Sequence, residues 1–140
     1  ERIVALARRD LGFDPVAALD AATAAGLAPV KVNVVLVRGT NDDEIETLAA
    51  LTLDRPWHVR FIELMPVGEL AESQGDGAPA LERVVPSDEV LARLAAFGVR
   101  CGRPLDRDGG PERGNGPAAY HRFRGGVGSV GVITPLTHTY

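Results

Sequence analysis

Lys31 and Asn33 are the only polar side chains in the stretch Val30-Lys31-Val32-Asn33-Val34-Val35-Leu36-Val37. The run is short, β-branched and bounded by Pro29 and Gly39, so it reads as a buried strand. Alternation puts Val30, Val32, Val34 and Leu36 on one face and Lys31, Asn33, Val35 and Val37 on the other. A cation and an amide on a buried strand are costly unless their face lines a polar cavity, so the chemistry they offer is ligand binding. The bland alternative sets Lys31 at the solvated start of the strand, its stem snorkelling to water. Asn33, deeper in the run, favours the cavity. A second strand, His58 to Met65, ends in Glu63-Leu64-Met65 and a Pro66-Val67-Gly68 turn. In parallel α/β folds, ligands gather at such carboxyl ends.

The elements that must position these residues can be read around them. Arg38-Gly39-Thr40-Asn41 is a turn, with Asn41 or Thr40 able to cap the helix that follows. Asp42, Asp43 and Glu44 then fill a first turn, where the macrodipole favours negative charge, so this acidic run reads as capping and not as a metal site. Ile45, Leu48, Ala49 and Thr52 form an inner stripe, and Arg55-Pro56 stops the helix. Strand, helix and strand make a βαβ unit with a parallel sheet. Upstream, Glu1 to Asp10 suits a helix end. Asp14 as N-cap, Pro15 at the first position and an Ala-rich run predict another helix, closed by Gly26. Downstream, Leu70 to Leu81 reads as loop, and Ser87 as the N-cap of a helix ended by Gly98. Arg103 to Gly116 reads as loop. Ala118 to Phe123 and Ser129 to Thr134 read as an antiparallel hairpin whose Gly125, Gly126 and Gly128 are turn chemistry.

Composition removes several classes of function. At 140 residues, 45% hydrophobic and 24% charged, the chain suits one globular domain. A net charge of −4 with 19 acidic residues offers no basic stripe for nucleic acid. No apolar run is long enough to span a membrane. The single cysteine, Cys101, rules out an internal disulfide, is expected to be a small buried apolar residue, and points to a reducing compartment. His58, His121 and His138 lack metal-ligand spacing and read as surface or packing residues. The chain has no initiator Met and no signal peptide, which predicts that it begins inside a longer protein.

The ordered set of motifs resembles the GTP 3′,8-cyclases of molybdenum cofactor (molybdopterin) biosynthesis, radical S-adenosylmethionine enzymes. The matching pieces are Val30-Lys31-Val32-Asn33-Val34-Val35, Arg38-Gly39-Thr40-Asn41-Asp42-Asp43-Glu44-Ile45 and Arg60-Phe61-Ile62-Glu63-Leu64-Met65-Pro66-Val67-Gly68. Val85-Pro86-Ser87, Asn115-Gly116-Pro117-Ala118 and Gly128 to Pro135 follow in the family's order.

That resemblance implies an α/β fold, the C-terminal part of an incomplete (β/α)6 barrel plus the start of a C-terminal extension. Residues 1–69 would supply the fifth and sixth barrel strands. Residues 70–140 would be the extension, truncated before its second cluster motif. Lys31 matches a GTP-contacting lysine, Arg60 an arginine of the GTP pocket, and Met65 a residue that touches S-adenosylmethionine. A triphosphate needs several Lys or Arg groups in a closed cavity, which suits Lys31 and Arg60. Arg60 and Met65 have opposite parity on a regular strand, so either the strand bulges or Met65 belongs to the turn. Glu63 shares the parity of Met65 and is a further candidate for the cavity.

The implied reaction, assigned to a lyase, uses a 5′-deoxyadenosyl radical to take hydrogen from C3′ of GTP before C8 is attacked, giving (8S)-3′,8-cyclo-7,8-dihydroguanosine 5′-triphosphate. S-adenosylmethionine and two [4Fe-4S] clusters carry that chemistry in the full-length family, and the cluster cysteines are absent from this chain. GTP is the expected partner, with no nucleic acid or membrane, in the cytoplasm, as monomer or homodimer. The 140 residues alone are expected to be inactive. A cluster-free nucleotide- or phosphate-binding remnant and another radical S-adenosylmethionine enzyme are the alternatives.

Overall fold

The computed structural model describes residues 12, 14–65, 80–107, 110 and 117–134. The chain divides into two compact units, Glu1–Val30 and Lys31–Tyr140. In the first, helix α1 spans Pro15–Ala24. Asp14 caps it as predicted, its carboxylate accepting from the Val16 N–H at 2.9 Å, and Pro15 opens the first turn without needing an N–H partner. Gly26, at φ +76°, ends it in the left-handed conformation, which lets the Leu27 N–H reach the Ala22 carbonyl.

The second unit is built on one five-stranded mixed sheet. Its strands are β1 (Val30–Leu36), β2 (Trp57–Glu63), β3 (Leu105–Arg107), β4 (Ala119–Phe123) and β5 (Ser129–Ile133), in spatial order β1-β2-β5-β4-β3. β2 and β5 run parallel with His58 opposite Ser129 and Arg60 opposite Gly131. The predicted hairpin is present: β4 and β5 are antiparallel, with Tyr120 opposite Gly131. Helices α2 (Ile45–Asp54) and α3 (Ser87–Arg100) cover one face. Ile45 and Ala49 from α2, and Val90 and Leu94 from α3, pack there with Val59, Phe61 and Val130 of the sheet, all at most 1% exposed. Each such aliphatic or aromatic burial contributes about 1.5–3 kcal/mol relative to exposure.

Several local expectations are corrected. Asn41 does not cap a helix through its side chain, because that side chain is engaged with the end of β1, accepting from the Val37 N–H and donating to the Val35 carbonyl. The acids Asp42, Asp43 and Glu44 form a 3-10 turn ahead of α2. Ser87 is the first residue of α3 and not its cap: the cap position is Pro86, and the Ser87 hydroxyl donates to Glu63 instead. Gly98 lies inside α3, which runs on to Arg100. A Cβ at 98 would sit 2.6 Å from the Arg103 carbonyl oxygen and 3.2 Å from the Phe123 ring. The glycine there serves a crossing of chain segments, and the stop is Gly102 at φ +67°. Residues 105–107, expected to be loop, form the edge strand β3 against β4. Cys101, at the C-cap of α3, is exposed and not buried. The loop predicted over Leu70 to Leu81 lies outside the described residues up to 79, and Ala80–Arg83 is a 3-10 turn.

An ion-pair network ties the turn after β1 to α3. Arg38 forks onto the Glu89 carboxylate at 2.6 and 3.3 Å, and Arg93 joins Glu89 at 2.7 Å while donating to the Asp42 carbonyl. The Arg38 hydrogen bond, opposed by desolvation, holds Glu89 below the ordinary carboxylate value of 4.5. A depressed folded value means the stabilisation is present above about pH 4.5 and is lost as pH falls through the folded value. Glu89→Gln is therefore expected to lower the denaturation midpoint more at pH 7 than at pH 3. The loss stays below about 1 kcal/mol, because the Arg38 and Glu89 side chains are 39% and 32% exposed. Equal loss at both pH values would show the effect is not ionic.

Candidate functional site

The candidate site is the sheet face turned away from α2 and α3. On β1, Val32 and Val34 pack against the core and Leu36 is buried in it, so Lys31, Asn33 and Val35 take the opposite face by strand alternation. On β2 the core side holds Val59 and Phe61, which sends His58, Arg60 and Ile62 to that same opposite face. The two strands are neighbours, and there the Arg60 Nε donates to Asn33 Oδ1 at 2.8 Å. This contact fixes the plane of the guanidinium, and its two terminal nitrogens form the edge suited to a bidentate oxyanion. Lys31, half-buried, stands two residues before Asn33 on the same face. Arg60 and Lys31 thus present two positive charges on one face of one sheet, chemistry suited to an anion.

Glu63 is not part of that face. It is 3% exposed, shares the core side with Val59 and Phe61, and its Oε2 accepts from the Ser87 N–H at 3.3 Å and the Ser87 hydroxyl at 3.1 Å. It caps α3 from across the fold, placing its negative charge where the helix dipole favours one. Met65 lies two residues past the end of β2 and is 46% exposed. The parity conflict with Arg60 thus dissolves: strand alternation stops at Glu63, and Met65 belongs to the segment beyond. Pro66, Val67 and Gly68 lie outside the described residues.

The structure adds groups to the face that the sequence reading did not single out. His58 Nδ1 and Ser129 Oγ are 2.7 Å apart, both buried, and the His58 ring meets Tyr120 edge-on with centroids 6.3 Å apart. Tyr120 joins this face through strand register, which local sequence does not carry: it pairs with Gly131, which pairs with Arg60. His121, on the core side, has its imidazole pushed below the usual value chiefly by burial and then by Arg107. Among the described residues, no three His, Cys, Asp or Glu side chains converge to hold a metal ion.

No protein-family model matches the chain. It is 43% identical over 137 residues to the GTP 3′,8-cyclase of Heliobacterium modesticaldum, a match covering 98% of this chain and 38% of that protein. With the GTP 3′,8-cyclase of Moorella thermoacetica the identity is 46% over 121 residues, covering 86% of this chain and 33% of that protein. With that of Pelotomaculum thermopropionicum it is 42% over 122 residues, covering 87% and 34%. The chain spans about a third of the length of the curated relatives it matches. Agreement at 42–46% identity over 86–98% of the sequence leads to one conclusion: the chain belongs to the GTP 3′,8-cyclase family.

Proposed function

We propose that these 140 residues are part of a longer radical S-adenosylmethionine enzyme that cyclises GTP between C3′ and C8, and that their role is to cradle GTP. The observation that carries this reading is the Arg60–Asn33 hydrogen bond, which presents a fixed guanidinium beside the strand of Lys31. Lys31 and Arg60 would neutralise the triphosphate, each charge-assisted contact being worth about 1.5–3 kcal/mol. Met65, exposed beyond β2, would touch S-adenosylmethionine from the strand's carboxyl end. β1 and β2 would be the family's fifth and sixth barrel strands, within residues 1–69, and β3, β4 and β5 would belong to the extension of residues 70–140.

The cluster chemistry is a different matter. One cysteine and no converging ligand set among the described residues do not fit a [4Fe-4S] cluster, so no step of the reaction is assigned to these side chains. Their work is to bind GTP, orient its ribose and keep the phosphates from drifting. Proximity of this kind acts on rate through geometry alone.

The test is Lys31→Ala and Arg60→Ala in the full-length protein. Each is expected to weaken GTP binding about ten- to a hundredfold in equilibrium dialysis, with the fold retained by circular dichroism. Unchanged GTP affinity in both would sink the reading. The isolated 140-residue chain is expected to form no cyclised product. If it bound GTP tightly without iron, a cluster-free binding module would replace the enzyme.

A further inference from the structure

Tyr120 is held in place with unusual care for a residue that no role claims. Its side chain stands on the same sheet face as Arg60, in one cross-strand row that runs Tyr120, Gly131, Arg60. The residue is 5% exposed, yet among the described residues its hydroxyl has no hydrogen-bond partner. A buried hydroxyl left unpaired costs about 1–3 kcal/mol, so such a group calls for a reason. The ring is gripped on two sides. A Cβ on Gly131 would lie 3.1 Å from its Cε1, and one on Gly110 would lie 2.5 Å from its Cδ2. Neither position leaves space for a larger side chain, and the ring meets His58 of β2 edge-on. The neighbouring polar groups do not satisfy it: His58 Nδ1 and Ser129 Oγ are engaged with each other.

We infer that Tyr120 is a further ligand-binding group of this face, its hydroxyl donating a hydrogen bond to an oxygen of the nucleoside triphosphate. The inference rests on the GTP reading above. An orphan donor locked in the row of the guanidinium complements an acceptor-rich anion, and the donor would find in the ligand the partner the protein withholds. Such preorganised donors cost nothing to reorient when the ligand arrives.

Tyr120→Phe tests this in the full-length protein, because it removes the hydroxyl and keeps the ring. The expected result is a GTP affinity about tenfold lower, with a thermal midpoint equal to or above the wild type, since the orphan group is gone. GTP affinity within twofold of wild type would overturn the assignment. So would a lower midpoint, which would show that the hydroxyl has a partner inside the protein. Arg60→Ala, measured alongside, separates the two readings. If it alone weakens GTP binding, only the Tyr120 assignment falls; if neither variant does, the GTP reading falls with it.

Discussion

Gly128→Ala is expected to destabilise the protein by about 3–4 kcal/mol, close to the largest loss that a single added methyl produces. A Cβ at this position would lie 2.6 Å from the Arg55 carbonyl oxygen and nearer still to that of Trp57. Both are backbone atoms at the entry to β2, and they cannot yield without dragging Trp57, which is fully buried, out of its place. Nor can the glycine retreat. Its own N–H is bonded to the Thr52 carbonyl at 2.8 Å, and that of Val127 to Leu53 at 3.2 Å, so the turn is stitched to the end of α2. Gly125→Ala is the informative comparison. Gly125 has φ +72° and nothing within 4 Å of its missing Cβ, so alanine there pays only the left-handed backbone, about 1 kcal/mol. Denaturation midpoints of the two variants should therefore differ widely. Equal losses would mean that Gly128 serves turn conformation alone and that the close approach does not matter.

Those two glycines mark the limit of what could be read in advance. Their cluster looked like turn chemistry, and for Gly125 it is. The demand on Gly128 comes from a chain segment some seventy residues earlier, which no local pattern reveals. The same division runs through the fold. β1, β2, β4, β5 and the three helices announced themselves through alternation, helical stripes and Asp-Pro, Arg-Pro or glycine punctuation, all of them signals carried by the neighbours themselves. β3 did not. Leu105–Arg107 holds one apolar residue, and only the partner strand β4 makes it a strand. The helix end placed at Gly98 failed because glycine has two meanings, a stop and a close approach, and here it is the second.

For the site, alternation alone put Lys31 and Asn33 on one face, and the structure keeps them there. The union of Asn33 with Arg60 was not legible, since the register between two strands is a tertiary fact. Met65 rests on the resemblance, and only Glu63 rests on parity along a strand read as running to residue 65. The strand stops at Glu63, which has the parity of Trp57, Val59 and Phe61, the core side. A carboxylate on that side is tolerable only because Ser87 waits for it, and a partner 24 residues away leaves no trace in the strand's own pattern.

That assignment of Glu63 makes the second large prediction. Glu63→Ala is expected to cost about 2–4 kcal/mol. It leaves a cavity, and it strips the acceptor from a Ser87 N–H and hydroxyl that are themselves 6% exposed. Glu63→Gln keeps an acceptor oxygen of the same reach and gives up only the charge at the helix N-terminus, so its cost should be about 1 kcal/mol. Hydrogen exchange localises the effect. In the alanine variant the amides opening α3 should lose protection before those of β2, because the cap holds the helix start and not the sheet. The same pair separates a structural Glu63 from a ligand-facing one. With the carboxyl on the core side, Glu63→Gln should leave GTP affinity in the full-length protein within about twofold of wild type. A tenfold loss, with α3 still protected, would return Glu63 to the face of Arg60 and Lys31 and overturn its role as a cap.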